Sequence, residues 1–388
     1  MRDATRLINS GHDAGLPGRA TRTVQPPLQR GSTVLFETYE DLVQAGEGHY
    51  DGITYGTDRL PSQRLFEEAM RDLENGSLTR AFQSGISAIA HTLLAFTRSG
   101  DHVLLCDNVY GPTALYCREI LSRFGIESTA IPPNAGADIA EHVRPDTRMI
   151  FLESPGSNTF EIQDIRAITK LARSRGIRTV LDNTWATPLY LDPFALGVDL
   201  SIQSVTKYIS GHSDVLLGTV TAQADCAREL EDYYRISELF AAPEDCHLAL
   251  RGLRTLPVRL RQHEQSALRL ARWLAGHDQV DQVLHPALPS HPEHDLWKRD
   301  FRGSSGLFAF TLKREPEEER LAAFMNSLEC FGMGFSWGGF KSLANIAHIQ
   351  RSLPSRYADR TLVRLSIGLE DPEDLQEDLE HGLTCLSR

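Results

Sequence analysis

The sequence predicts an α/β protein in which a large domain on a mostly parallel sheet precedes a smaller α+β domain. Between residues 101 and 207, short apolar segments alternate with helical ones, which is typical of βαβ units and a parallel sheet. After about residue 245 the alternation stops and one long helical stretch begins. We therefore expect an N-terminal arm at 1–50, a large domain at 51–245 and a C-terminal α+β domain at 246–388.

The predicted helices and strands of the arm and the large domain come first along the chain. Residues 1–50 are rich in Gly, Pro, Thr and Arg with little helical spacing, which predicts an extended arm against a partner subunit or, alternatively, a frayed tail. Gly176 is a typical helix stop and sets the end of one helix. Helices are predicted at 65–73, 84–96, 113–124 and 165–175, and strands at 101–106, 148–152, 179–182 and 200–203.

The sequence pattern of the predicted C-terminal domain differs from that of the large domain. Residues 247–273 carry Leu, Arg, Ala and Gln at helical spacing, interrupted only by Pro257. A strand at 306–312 and a helix at 317–328 follow, the helix preceded by a proline that a helix start tolerates. A late strand is predicted at 362–367.

Composition excludes several functions. The net charge of −12 over 388 residues disfavours nucleic-acid binding. No apolar run is long enough to cross a membrane, and no secretory signal is evident at the start, so we expect a cytoplasmic protein. The six cysteines are scattered without a Cys-x-x-Cys pair, which predicts free thiols and no metal site.

Lys207 is the strongest candidate for chemistry. It follows the strand predicted at 200–203 and is flanked by Ser204 and Thr206. Open α/β sheets place ligands at the carboxyl ends of their strands. A lysine amine at such a place can hold an aldehyde cofactor as a Schiff base, whereas an isolated lysine there is usually a solvated surface group.

Three further features fit the same cofactor. Gly85 and Ile86 open a helix through small residues, so their N–H groups can bind phosphate together with the hydroxyls that flank Lys207. Asp182 ends a strand, where a carboxylate can pair with a ring nitrogen. Tyr110 follows another strand and can stack on the ring. Taken singly, these features are also typical of a helix cap, a turn cap and a loop tyrosine without any ligand. Together they predict a pyridoxal 5'-phosphate (PLP) site.

Longer motifs identify a resemblance that runs from Pro26 to Glu370. These motifs are Glu153–Ser157, Asp182–Ala186, Thr206–Tyr208, Gly211–Asp214, His285–Pro292 and Phe335–Phe340. On these motifs the chain resembles the Cys/Met metabolism family of PLP-dependent enzymes (trans-sulfuration enzymes), of the aspartate-aminotransferase fold type, and within it the bacterial cystathionine β-lyase branch. Phe335–Phe340, with its tryptophan, is similar to that branch in particular.

The resemblance implies a PLP-dependent transferase fold and β-elimination from a sulfur amino acid, with L-cystathionine giving homocysteine, pyruvate and ammonia. It assigns Lys207 and Asp182 the roles above and makes Tyr110 a stacking and catalytic residue. Tyr55, like Lys207 and Asp182, would be catalytic, and it would reach the phosphate of the neighbouring subunit in a homotetramer built from two dimers. Substrate binding falls to Arg364, Ser336, Trp337 and Tyr110.

Two positions depart from the family pattern. Thr57 stands where the family has an arginine for the neighbour's phosphate, with Arg59 two residues on, and Lys341 stands where the branch commonly has an acid. The sequence therefore leaves open other carbon–sulfur lyases, such as a cysteine desulfhydrase, a methionine γ-lyase or an S-conjugate β-lyase. A γ-synthase is disfavoured by Trp337, and an inactive regulatory or binding relative by the intact Lys207, Asp182 and Arg364.

Overall fold

The computed structural model describes residues 2–10 and 23–387 and contains two β-sheets. The large sheet has seven strands in the order β1-β7-β6-β5-β4-β2-β3. Strands β2 to β6 are mutually parallel, and β7 runs antiparallel to both β1 and β6. The strands are β1 (Leu78–Phe82), β2 (His102–Cys106), β3 (Glu127–Ile131), β4 (Thr147–Glu153), β5 (Arg178–Asp182), β6 (Leu200–Ser204) and β7 (Gly218–Ala222).

Helices cover the large sheet because its central strands are apolar on both faces. In β4, for example, the side chains from Met149 to Leu152 are fully buried. In the described residues up to 242, the helices are α1 (Asp3–Asn9), α2 (Tyr39–Gly46), α3 (Pro61–Glu74), α4 (Gly85–Phe96), α5 (Gly111–Glu119), α6 (Ile165–Ser174), α7 (Thr187–Tyr190) and α8 (Ala224–Ile236).

The second sheet has five strands in the order β10-β11-β12-β9-β8. Its apolar residues, such as Phe308 and Phe310, form a separate core with the last helix. Its elements are β8 (Val280–Leu284), α10 (His294–Asp300), β9 (Leu307–Leu312), α11 (Glu318–Ser327), β10 (Gly332–Met333), β11 (Leu343–Ala347), β12 (Leu362–Ser366) and α12 (Pro372–Ser387). One long helix, α9 (Pro243–Ala275), connects the two sheets along the chain.

Three sequence predictions need correction. The helix α9 continues through Pro257, which costs one backbone hydrogen bond but does not end the helix, because the apolar face on both sides of it is buried. The predicted helix 113–124 stops at Glu119, and a tight turn at Leu121–Phe124 follows. The described part of the arm at 1–50 is not wholly extended, since α1 and α2 lie in it and Leu7 is buried; residues 1 and 11–22 fall outside the description.

Candidate active site

A cavity of about 240 Å³ lies at the carboxyl ends of β4, β5 and β6, beside the first turn of α4. Trp337, from the segment before β11, and Arg364, from β12, close it on the other side. Most of the site residues predicted from the sequence line this cavity: Gly85, Ile86, Tyr110, Asp182, Ser204, Thr206, Lys207, Trp337 and Arg364.

Lys207 stands just beyond β6 and points its amine into the cavity. The Nζ atom donates a hydrogen bond to Ser336 Oγ at 2.6 Å and lies 5.4 Å from the centre of the Trp337 ring. Burial, together with the positive charge of Arg364, lowers the pKa of Lys207 from 10.5 to about 8, although Asp182 opposes the shift. A substantial fraction of this amine is therefore neutral near physiological pH, as a base or nucleophile must be.

Asp182 is the last residue of β5 and is held by the residue two positions on. Thr184 donates to Oδ1 twice, from its backbone nitrogen at 3.0 Å and from its hydroxyl at 2.5 Å. Burial raises the pKa of Asp182, and these two bonds oppose the rise. Since both bonds go to Oδ1, Oδ2 is left to accept a hydrogen bond from a ligand.

The first turn of α4 fits a phosphate group. Its N–H groups have no partner within the helix, and Ser84 caps only one of them, Ser87 N, at 3.1 Å. A Cβ added at Gly85 would come within 2.6 Å of Ser204 Oγ, so glycine is needed for the helix start to approach β6 this closely. The hydroxyl of Thr206 already donates to Leu217 O at 3.2 Å and would have to exchange this bond for one to phosphate.

Tyr110 lies at the start of α5 and is about half exposed at the cavity mouth. Its backbone nitrogen donates to Glu153 Oε2 at 2.6 Å, so the position of the ring depends on this buried carboxyl. Burial, reinforced by the neighbouring Asp182, raises the pKa of Glu153 well above its ordinary range. The sequence motif Glu153–Ser157 predicts no role for Glu153. Its position at the end of β4, paired in register with Asp182, brings it into the site.

Arg364 in β12 brings a second positive charge to the cavity. Its guanidinium donates to Asn158 Oδ1 at 3.4 Å and to the Ser336 carbonyl at 3.3 Å. Burial lowers the pKa of Arg364 to about 10, so it remains charged at neutral pH. A planar cation with long, replaceable contacts suits a carboxylate ligand. The sequence had not indicated Asn158 as its partner.

The Ser336–Gly338 segment depends on close backbone contact with Lys207. Ser336 has a positive φ of 76°, and Gly338 has one of 81°. A Cβ at Gly338 would come within 2.9 Å of Tyr208 N. The Trp337 ring packs 5.4 Å from the Tyr208 ring, which fixes it beside the lysine amine.

Tyr55 is not brought into this cavity by a single chain. It is about half exposed and lies outside the lining. Arg59 is paired with the buried carboxylate of Glu67 at 3.0 Å, so it is not free to take the part of the arginine absent at Thr57. Lys341 also points elsewhere, donating to the Cys330 carbonyl at 2.6 Å.

These observations meet the requirements of PLP. The cavity offers unpaired helix N–H groups for phosphate, a buried carboxylate for a ring nitrogen and a partly neutral lysine for an aldehyde. In the part of the chain that the structure describes, no group of three or more His, Cys, Asp or Glu side chains is placed to hold a metal ion. Nor does any described helix have the length and apolar character needed to cross a membrane.

Comparisons with known proteins agree with this chemistry. Residues 4–384 match the Cys/Met metabolism PLP-dependent enzyme family. Cystathionine beta-lyase MetC of Escherichia coli is 41% identical over 97% of this chain and 97% of its own length. Cystathionine beta-lyase of Salmonella typhimurium is 40% identical over 97% of each chain. An L-alanine/L-glutamate racemase of Wolbachia pipientis is 38% identical over 94% of this chain and 93% of its own.

Proposed function

The chain belongs to the Cys/Met metabolism family of PLP-dependent enzymes, and we propose that within it this enzyme cleaves L-cystathionine to homocysteine, pyruvate and ammonia. The PLP-dependent transferase fold and the carbon–sulfur lyase class expected from the sequence are thereby confirmed. The observation that carries the substrate proposal is the convergence of Lys207, Asp182 and Arg364 on one cavity, in a chain similar over nearly its full length to cystathionine β-lyases.

The cofactor would be held by residues of the large domain. Gly85, Ile86 and Ser204 would bind the phosphate, joined by Thr206 once its hydroxyl leaves Leu217. Asp182 would accept a hydrogen bond from the ring nitrogen and keep it protonated. When bound, PLP supplies an aldehyde that bonds the substrate amine and a ring that withdraws electrons from the substrate Cα.

The remaining steps belong to side chains of this chain. Arg364 would bind the α-carboxylate, with Ser336 and Trp337 bounding the substrate space. Lys207 Nζ would take the proton from Cα; the Cβ–S bond then breaks, and the same proton passes to the leaving sulfur. The products are a thiol and 2-aminoacrylate, which hydrolyses to pyruvate and ammonia. Tyr110 would cover the ring and assist this elimination.

Assembly and location are part of the proposal. We expect a cytoplasmic homotetramer built from two dimers, in which Tyr55 serves the site across the dimer. Leu35 is 90% exposed and Tyr39 75% exposed in the described part of the arm, a degree of apolar exposure that suits contact with another subunit. The six cysteines form no disulfide, as a reducing compartment requires. Light scattering on the purified protein tests the assembly.

The experiment that tests the reaction is product analysis with purified, PLP-loaded protein. We expect pyruvate and homocysteine from L-cystathionine. We also expect a visible absorbance band that disappears when the protein is reduced with labelled borohydride, with the label then found on Lys207. Release of 2-oxobutyrate would instead establish γ-elimination, and a labelled protein without turnover would establish a binding relative. Lys207→Ala supplies the inactive control.

A second candidate activity is amino-acid racemisation, which the 38% identical Wolbachia racemase favours. The same Arg364 and Lys207 would bind and deprotonate an amino acid that lacks a leaving group. Incubation with L-alanine followed by chiral analysis separates the two activities, since D-alanine forms only if a proton returns to the opposite face of Cα.

A further inference from the structure

The segment between β11 and β12 leaves the small sheet and returns to the large domain beside the active site. We call residues 351–353 of this segment the strap. Two of its backbone N–H groups, those of Ser352 and Leu353, donate to the Asp107 carboxylate at 2.8 and 3.0 Å. The strap is therefore fastened directly after β2, three residues before Tyr110.

Arg351 fastens the same strap to a second loop. Its guanidinium pairs with Glu161 Oε2 at 3.3 Å and donates to Thr159 Oγ1. Thr159 also donates to Glu161 at 2.5 Å. Only 7% of the Arg351 side chain and 10% of the Glu161 side chain are exposed, so the pair is almost wholly removed from water.

These two anchor points adjoin residues that face the substrate space. Thr159 directly follows Asn158, which accepts the hydrogen bond from Arg364. The two loops are themselves joined, because Ser157 N donates to Asn108 O at 2.7 Å. A small cavity of about 60 Å³, lined by Arg351, Asn158 and Ser157 among others, lies between the strap and the loops.

Burial decides what this ion pair contributes. A buried pair adds little net stability compared with apolar side chains of the same volume, but it imposes one geometry, and removing either partner leaves a costly unpaired charge. Arginine provides a rigid fork that lysine cannot reproduce. The strap therefore holds the loop of Tyr110 and the loop of Asn158 at one fixed distance from β12, the strand that carries Arg364.

We propose that Arg351 is a positioning residue that, through Glu161 and Thr159, sets Asn158 and Arg364 for recognition of the substrate α-carboxylate. The inference rests on the proposed role of Arg364. It predicts a defect in amino-acid binding rather than in cofactor binding, because the contacts of Arg351 lie on the substrate side and not on the phosphate cradle at Gly85.

The test compares two holoenzyme variants. Arg351→Lys keeps the charge and loses the fork, and Arg356→Lys makes the same change at an exposed arginine of the same segment. L-Alanine, which has an α-carboxylate but no leaving group, is titrated while the cofactor absorbance is followed. Pyruvate release from L-cystathionine gives kcat and KM separately, and thermal melting reports folding.

We expect Arg351→Lys to load PLP like the unaltered protein, to bind L-alanine about tenfold more weakly and to raise KM by a similar factor, since a misplacement of ~1 Å costs up to about 100-fold. Arg356→Lys should match the unaltered protein. Unchanged L-alanine affinity in Arg351→Lys would overturn the proposal, and so would weakening equal to that of Arg356→Lys.

Two provisions keep the test decisive. If Arg351→Lys does not fold, Asp107→Asn takes its place, because it releases one of the two strap N–H groups. Asp107→Asn should also weaken L-alanine binding. Unchanged L-alanine affinity in this variant would contradict the positioning role of the strap. The L-alanine titration needs no turnover. Absence of pyruvate from the unaltered enzyme would thus count against the proposed lyase reaction, while the titration still decides the role of Arg351.

Discussion

The pKa of Lys207 predicts how fast the apoprotein captures free PLP at each pH. Only the neutral amine attacks an aldehyde, and the pKa of about 8 leaves about half of it neutral at pH 8. An amine with the ordinary value of 10.5 would be only about 0.3% neutral there, so capture should be about 160-fold faster than at an exposed lysine. The capture rate should rise with pH and level off above a midpoint near 8.

Substitution of Arg364 tests this account of the Lys207 pKa. Arg364→Met removes the charge that disfavours a second cation, so the midpoint should rise, yet stay below 10.5 because burial is the larger cause. Arg364→Lys keeps the charge and serves as the matched control, with its midpoint near 8. Stopped-flow absorbance of apoprotein mixed with PLP, from about pH 7 to 10.5, measures both. A midpoint near 10.5 in the unaltered protein would refute the reasoning, as would no upward shift in Arg364→Met.

Three further predictions concern neighbours of the lysine. Asp182→Asn should weaken PLP binding about 10- to 150-fold, the equivalent of a charged hydrogen bond of ~1.5–3 kcal/mol, as measured by cofactor titration. Glu153→Gln should retain kcat/KM because an amide oxygen still accepts the hydrogen bond from Tyr110 N. Glu153→Leu removes that acceptor and should lower kcat/KM about tenfold. Equal losses of kcat/KM in the two variants would contradict the neutral form of Glu153. Gly338→Ala should lower the free energy of unfolding by ~1–3 kcal/mol in denaturant titrations, because of its φ of 81°, while Gly46→Ala, with open space at its Cβ, should change it little.

The parallel core of the fold was predictable because its strands are apolar on both faces. The strand predicted at 101–106 is found at His102–Cys106, and that at 179–182 at Arg178–Asp182. The strand β7 was missed for a physical reason. Thr221 in this strand is buried with its hydroxyl paired to that of Thr79 at 2.8 Å, and such a partner is distant in sequence. Nothing in a Gly-Thr-Val-Thr-Ala segment reveals that burial.

The site was predictable where a residue belongs to a strand end or a helix start. Lys207, Asp182 and Gly85 meet because parallel strands deliver their carboxyl ends to one edge. Asn158 was not predictable, since its role depends on where β12 places Arg364, 206 residues further on. Tyr55 lies outside the cavity of its own chain, and its role across a dimer stays a prediction.

Burial accounts for the protonation states of Lys207 and Glu153 at the centre of the site. Burial lowers the pKa of Lys207 and raises that of Glu153, so in both cases it favours the neutral form. A neutral Glu153 leaves Asp182 as the only carboxylate facing Lys207 and Arg364 among the described residues that line the cavity. Arg364 keeps its charge at neutral pH while Lys207 is partly neutral, and the charged Arg364 suits an α-carboxylate. In the proposed reaction, the Asp182 carboxylate is thus the group that opposes the neutral form of Lys207, and burial together with the charge of Arg364 outweighs it.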